Sequence, residues 1–273
     1  MAAPVRVVVA GAGGRMGQAL VAAILADVGL ALAGALDIAG SPELGRDPGE
    51  RCGRDTGIRV TSDIASALAG ADVLVDFTRP AGTMAHLAAC ASQRVAAVVG
   101  TTGLTAAEHA TLVQQAKVVP VMFAANMSVG VNVLLSLVET AARSLGPDFD
   151  IEIVEMHHKH KVDAPSGTAL RLGEAAAAGL GTHLADVAVY AREGVTGERK
   201  PGTIGFAALR GGDVVGEHTV LFAGTGERVE IGHRATSRQN FAAGALRAVH
   251  YVAAKRTRGE AGLFDMRDVL GLA

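Results

Sequence analysis

The stretch from residue 5 to residue 37 constrains the fold more tightly than any other part of the chain. Val5-Arg6-Val7-Val8-Val9-Ala10 is a β-branched run suited to a strand. It runs directly into Gly11-Ala12-Gly13-Gly14, after which residues 15–26 carry the apolar spacing of a helix. A second apolar run, over 30–36, stops at Asp37. Strand, glycine turn, helix and strand in this order make a βαβ unit, whose parallel strands must be covered by helices. The alternation continues, with strands expected over 72–76, 96–99 and 118–123 and helices over 82–92 and 105–116. Thr105 and Glu108 stand at capping-box spacing at the start of the last of these helices. Apolar strands alternating with helices predict an α/β fold, a doubly wound parallel sheet covered on both faces.

The glycine turn also has a chemical reading. Glycine allows the tight turn and lets backbone amides approach a pyrophosphate, whose charge the following helix N-terminus favours. The third glycine of the usual GxGxxG pattern is displaced here: its place is taken by Met16, and Gly17 follows. Asp37 ends the second strand twenty residues after Gly17, where an acid can hold an adenosine ribose. The competing reading is a glycine turn that only eases helix–strand packing. Three further loops leave carboxyl ends of strands, where ligands bind in such sheets. They are Phe77-Thr78-Arg79-Pro80, Gly100-Thr101-Thr102-Gly103 and Ala124-Ala125-Asn126-Met127. Each alone is an ordinary turn; together they converge on one sheet edge and point to a ligand.

The pattern changes after Asn126. A long helix is expected over 128–145, a strand over 150–156, and a helix from Pro165-Ser166-Gly167-Thr168 to about residue 180. From 187 to 234 glycine-punctuated strands dominate, at 203–210, 214–222 and 228–233, which predicts a second α/β domain with an open mixed sheet. Helices over 240–254 and 265–270 are expected to return to the first domain. The expected domains are therefore 1–127, with 239–273 packing back on it, and 128–238. Net charge is −2 and no basic run exceeds two residues, which gives nucleic acid or a membrane surface little to bind. Cys52 and Cys90 form no disulfide framework, residues 1–10 lack the features of a signal peptide, and no uninterrupted apolar run reaches 18 residues. A cytoplasmic protein is expected.

The most informative stretch is Glu155-Met156-His157-His158-Lys159-His160-Lys161-Val162-Asp163-Ala164-Pro165-Ser166-Gly167-Thr168. Three of nine histidines and two of five lysines fall within five positions, in a chain with twenty arginines. Histidine exchanges protons near neutral pH and lysine can act as an acid, whereas arginine keeps its proton. The helix start at Ser166-Gly167-Thr168 offers amides and hydroxyls to a carboxylate. The stretch thus reads as an anionic-substrate pocket with a proton donor. A solvated basic loop and a metal site built on His157, His158 and His160 are the alternatives; no cysteine or clear carboxylate completes a metal-ligand set, and no metal is expected.

With these residues the chain resembles the dihydrodipicolinate reductase family. The resemblance rests on residues 11–17, 76–80, 100–103, 124–132 and 155–168, and extends through Arg192-Glu193-Gly194, Gly202-Thr203-Ile204-Gly205-Phe206, Val215-Gly216-Glu217-His218 and Gly262-Leu263-Phe264-Asp265-Met266-Arg267. It covers nearly the whole chain. It implies a Rossmann-like first domain, a mixed α/β second domain whose open sheet builds a homotetramer, and a hinge near Asn126-Met127. It also implies that NADH or NADPH reduces a small cyclic dicarboxylate, hydroxy-tetrahydrodipicolinate, to tetrahydrodipicolinate with loss of water, in diaminopimelate and lysine biosynthesis. Carried over by position, His157 and Lys161 take the acid–base roles. His158, Gly167 and Thr168 hold a substrate carboxylate, and Thr102 touches substrate. Gly11, Ala12, Gly13, Gly14, Arg15, Met16, Asp37, Gly100, Thr101, Thr102, Ala124, Ala125, Asn126 and Met127 take the cofactor. Arg238 is expected at the substrate anion site or the hinge.

Two departures matter. Some relatives carry an arginine after the ribose acid where this chain has Ile38, and many carry an aromatic where it has Met127. Asp37 should repel a 2′-phosphate, while Arg15 and Arg79 can still reach one, so NADH is expected to be preferred with NADPH usable. Competing readings are a homoserine- or aspartate-semialdehyde-type dehydrogenase and a nucleotide-sensing regulator. The aspartate-semialdehyde type needs a cysteine at the start of the second domain, where neither Cys52 nor Cys90 stands. The regulator leaves His157 to Lys161 without a purpose.

Overall fold

A computed structural model describes residues 3–237 and 239–272. The chain opens with β1 (Val5–Ala10), α1 (Arg15–Ala26), β2 (Leu30–Leu36), α2 (Ile64–Leu68), β3 (Val73–Asp76), α3 (Pro80–Gln93), β4 (Ala96–Val99), α4 (Ala106–Ala116) and β5 (Pro120–Phe123). There follow α5 (Val129–Leu145), β6 (Asp150–His157), α6 (Gly167–Gly179), α7 (Leu184–Val187), β7 (Ala188–Val189), β8 (Ile204–Arg210), β9 (Gly216–Ala223) and β10 (Arg228–Ala235). The chain ends with α8 (Gln239–Thr257), β11 (Gly262–Phe264) and α9 (Met266–Leu270). Two compact units result: the described residues of Met1–Ser128 and Gln239–Ala273, and those of Val129–Arg238.

The first unit holds a six-stranded sheet in the order β11-β5-β4-β3-β1-β2, parallel throughout. Successive residues of β3 and β4 are all buried, as strands sandwiched between helices must be. One face packs Val8, Leu74, Ala97 and Val121 with Leu87 of α3 and Leu112 of α4. Helices α1 and α8 pack against each other, with Leu20, Ile24, Val249 and Val252 fully buried. Each such side chain contributes roughly 1.5–3 kcal/mol. Strand order reverses between β1 and β3, so the carboxyl ends of these two strands flank the crevice where doubly wound sheets take ligands.

The second unit is built on a mixed sheet in the order β10-β9-β6-β8-β7. β6, β8 and β7 are parallel, whereas β9 pairs antiparallel with both β6 and β10. Burial alternates along β6 and β9, the mark of a sheet with one covered face. That face meets α5 and α6 through Leu134, Val138, Leu172 and Ala176 against Ile151, Ile153, Val220 and Phe222. The same alternation places Glu155 and His157 among the buried positions at the end of β6.

The α/β architecture expected from the sequence is the one observed. The elements absent from the expectation are α2, α7, β7 and β11, each of five residues or fewer and too short to show a period. α3 begins at Pro80, two residues earlier than expected, because proline suits the first helical turn. The displaced glycine of the first loop also has its explanation: a Cβ at Gly17 would overlap the Gly11 carbonyl and lie 2.8 Å from Ala12 Cα. The glycine that lets α1 close onto the loop is therefore the seventh of the motif, not the sixth.

Gly17→Ala should destabilise the protein by about 1–3 kcal/mol, because backbone atoms cannot swing aside as a side chain would. Gly167→Ala, where an added Cβ meets nothing within 4 Å, should stay within about 0.5 kcal/mol. Urea unfolding of both variants checks this; equal stability would show that the loop relaxes freely.

Candidate active site

In the first unit the glycine loop and Asp37 form one assembly. Gly11 sits at φ 69°, a left-handed conformation, and its carbonyl accepts from Gly14 N at 3.0 Å. Gly14 caps α1 without any side-chain hydrogen bond, so no capping side chain competes with an anion at the first turn of the helix. Asp37 Oδ2 accepts from Gly13 N at 3.0 Å, and its Oδ1 from Ile38 N at 2.8 Å. A Cβ at Gly13 would lie 2.5 Å from Asp37 Oδ2 and 2.7 Å from Glu43 Cγ, so any larger residue would push the Asp37 and Glu43 side chains aside. Glu43 was not singled out in the sequence. Arg15 and Arg79 are exposed and Ile38 is 76% exposed.

The other two loops stand on the same sheet edge. Gly100 lies under the ring of Phe77, where a Cβ would overlap ring carbons. Thr101 is buried while Thr102 is exposed. Ala124, Ala125 and Asn126 offer surface, but Met127 is 1% exposed, and a Cβ at Gly244 of α8 would overlap its carbonyl. Met127 is thus an interior anchor of this loop, and a nicotinamide contact by its side chain is not what the structure offers.

In the second unit the site grows from Glu155, which is 1% exposed. Arg210 of β8 binds it through two bonds, Nη1–Oε2 at 2.9 Å and Nη2–Oε1 at 2.8 Å. His157 Nδ1 lies 2.5 Å from Oε2, and Ser166 N donates to Oε1 at 3.2 Å. A carboxylate accepts only, so Nδ1 carries the imidazole proton and Nε2 keeps the lone pair. Burial pushes His157 below the ordinary histidine range against the opposing pull of Glu155, which leaves the ring neutral at pH 7. Ser166 Oγ caps α6 by accepting from Ala169 N at 3.2 Å and lies 3.1 Å from His218 Nε2. The Ser166 hydroxyl is therefore engaged within the protein, and the exposed position of this helix start is Gly167.

Lys161 stands on the loop after β6, with its Nζ 2.8 Å from both carboxylate oxygens of Asp163. His158 is held by its amide to Val214 O at 2.8 Å, while its ring Nδ1 is buried without a hydrogen-bond partner. A buried polar atom left open in this way awaits a ligand or costs stability. His157, His158, Lys161, Gly167 and Thr168 all belong to this unit, whereas Thr102 belongs to the first. Arg238 lies outside the described residues. Among the described residues, no group of three or more His, Cys, Asp or Glu is placed to hold a metal ion, and no helix is long and apolar enough to cross a membrane.

Comparison with known proteins agrees across the chain. The family models "Dihydrodipicolinate reductase, N-terminus" and "Dihydrodipicolinate reductase, C-terminus" match residues 5–127 and 130–270. The chain belongs to the dihydrodipicolinate reductase family. Its relatives in that family include the 4-hydroxy-tetrahydrodipicolinate reductase of Burkholderia multivorans, 58% identical over 267 residues, 98% of this chain and 99% of the relative. The enzyme of the same name from Cupriavidus pinatubonensis is 56% identical over 266 residues, covering 97% and 99%. The dipicolinate-bound dihydrodipicolinate reductase from Paenisporosarcina sp. TG-14 superposes with a TM-score of 0.76 at 25% identity, covering 96% of this chain and 97% of that one.

Within this member of the dihydrodipicolinate reductase family, His218 supplies a measurable signature. Burial pushes its pKa from 6.5 down to about 4, with the neighbouring His157 adding to the effect. Between those values the unfolded chain binds a proton that the folded chain refuses. Stability is therefore full above pH 6.5 and falls as the pH drops toward 4, by about 3 kcal/mol in all. His218→Gln keeps a donor near Ser166 but cannot titrate, so urea midpoints measured from pH 7 to 4.5 should fall less steeply than in the unmodified protein. Parallel slopes would show that other groups set the acid limb.

Proposed function

We infer that this protein is an NAD(P)H-dependent 4-hydroxy-tetrahydrodipicolinate reductase of lysine and diaminopimelate biosynthesis. The observation that carries the reading is that one unit holds both His157, oriented by Glu155, and Lys161, held by Asp163, in a chain 58% identical to an enzyme of that name over 98% of its length. In this reading the first unit takes the cofactor and the second takes the substrate. The glycine loop, Asp37, Arg79, residues 100–102 and residues 124–126 suit a dinucleotide: a helix N-terminus without a capping side chain stands beside an acid already oriented by Gly13. The bound nicotinamide supplies a hydride to the substrate ring.

The residues of the second unit handle charge and protons. The α6 amides at Gly167 and Thr168, with the unpartnered His158 ring nitrogen, receive a substrate carboxylate. Lys161 is the proton donor. Asp163 holds its ammonium in place and is itself kept below the usual carboxylate range by that hydrogen bond. His157 presents an unprotonated Nε2 and acts as the partner base. With loss of water the substrate becomes a conjugated cyclic imine; hydride addition at C4 gives an enamine, and one proton from the protein completes the product. The homotetramer implied by the family is supported by the uncovered face of the second sheet, where Leu209 is 47% exposed. A reducing compartment such as the cytoplasm suits the two free cysteines.

The test is loss of NADH absorbance on addition of the cyclic substrate. Lys161→Ala should lower kcat by roughly 10²–10⁴-fold, the scale of a lost general acid, with cofactor affinity unchanged. A variant with near-normal kcat would remove Lys161 from the mechanism.

NADH should be the preferred cofactor with NADPH usable, since Asp37 repels a 2′-phosphate and Ile38 offers it no donor. Ile38→Arg should raise kcat/KM for NADPH more than for NADH; a tenfold change corresponds to about 1.4 kcal/mol. Steady-state kinetics at low salt decide this, and an NADPH preference in the unmodified protein would give the selectivity to Arg15 and Arg79 instead.

A further inference from the structure

Asp76, the last residue of β3, is 1% exposed, and nothing in the chemistry above uses it. Its Oδ1 accepts from Thr78 N at 2.8 Å and from Thr78 Oγ1 at 2.6 Å. Its Oδ2 lies 2.8 Å from Nδ1 of His86, a residue on α3 whose side chain is 12% exposed. Thr101 Oγ1, just past β4, is 3.4 Å from Oδ1 and accepts a 2.7 Å bond from Thr83. Thr78 in turn packs on the glycine loop, since a Cβ at Gly11 would stand 3.0 Å from Thr78 Cγ2. One buried carboxylate thus bonds the loops that leave β3 and β4, and through Thr78 it is linked to the loop that leaves β1.

This arrangement is not needed to make the sheet. A buried ion pair replaced by packed apolar side chains commonly leaves stability unchanged or improved. Burial alone would push the Asp76 carboxyl up; His86 and the two Thr78 donors outweigh it and hold the group below the usual carboxylate range. The charge is therefore kept at a strand end whose neighbours are loops, and what it organises is loop backbone. Asp76 draws in the amide of Thr78, next to Arg79, which opens α3, and it reaches the hydroxyl of Thr101, next to the exposed Thr102.

We propose that His86 is a positioning residue for cofactor binding: its Nδ1 holds Asp76, and through Asp76 it fixes Thr78 and Thr101 so that the three loops keep one binding arrangement. The proposal rests on the reading of the first unit as the nucleotide site. His86→Leu removes the donor; His86→Asn replaces it with an amide nitrogen near the place of Nδ1. Equilibrium dissociation constants for NADH and NADPH, measured by fluorescence titration of the full-length protein, are compared with melting temperatures, and Asp37→Ala serves as the reference.

The expected result is roughly tenfold or greater weakening of both cofactors in His86→Leu, the scale of one lost hydrogen bond to a charged group. His86→Asn should recover most of it, and the two variants should melt at similar temperatures. Unchanged binding in His86→Leu while Asp37→Ala binds weakly would overturn the proposal alone. So would equal weakening in His86→Leu and His86→Asn, or a loss that follows a fall in melting temperature in both. Normal binding in Asp37→Ala would overturn the nucleotide reading itself, and the proposal with it.

Discussion

A carboxylate taken out of water at the end of a strand must be neutralised from several sides at once, and Glu155 imposes that condition on the second unit. Its burial costs several kcal/mol unless its lone pairs are filled. The partners that fill them are Arg210 from the neighbouring strand, His157 two residues on, and the amide of Ser166 at the start of α6. These groups come from separate stretches of chain, so satisfying one charge brings strand, helix start and acid–base loop into register. The Arg210 guanidinium also donates to the carbonyl of Asp163 at 2.6 Å, which ties down the loop carrying Lys161. Loss of Arg210 would leave Glu155 both buried and unpaired, the more damaging way to break such a pair.

At its glycine loop the first unit uses an acid that stays half-buried. Asp37 reaches across to a glycine amide, so the acid that would hold a ribose is oriented before any ligand arrives. Preorganisation of this kind reduces the ordering that binding must otherwise impose. The glycine loop is crowded on its other sides as well: Gly13 under Asp37 and Glu43, and Gly17 against the Gly11 carbonyl. The backbone there is placed by its neighbours more than by its own freedom.

What could be read from the sequence follows the range of the interactions. The β1–loop–α1–β2 segment and Asp37 were legible because strand, turn and helix signals lie within about thirty residues and each depends on local chemistry. The histidine–lysine loop was legible because rare residue types crowd together there. Arg210 was not, since it meets Glu155 across 55 positions of sequence, and neither was His218, which meets Ser166 across 52. The three residues of β11 carry no period, and only pairing with β5 makes them a strand. Met127 looked like one more member of a ligand loop; its burial against α8 comes from a helix more than a hundred residues downstream.

The chain leaves its first sheet at Ser128 and comes back to it only at Gln239. Until then the sheet lacks α8, which packs on β3, β4, β5 and α1, and lacks the edge strand β11. During synthesis the second unit can therefore complete its own core while the earlier sheet still shows an uncovered apolar face and an unpaired edge at β5. Such surfaces invite association between nascent chains. The order of translation and the order of completion are reversed for the two units, and the part made first is the part that needs protection longest.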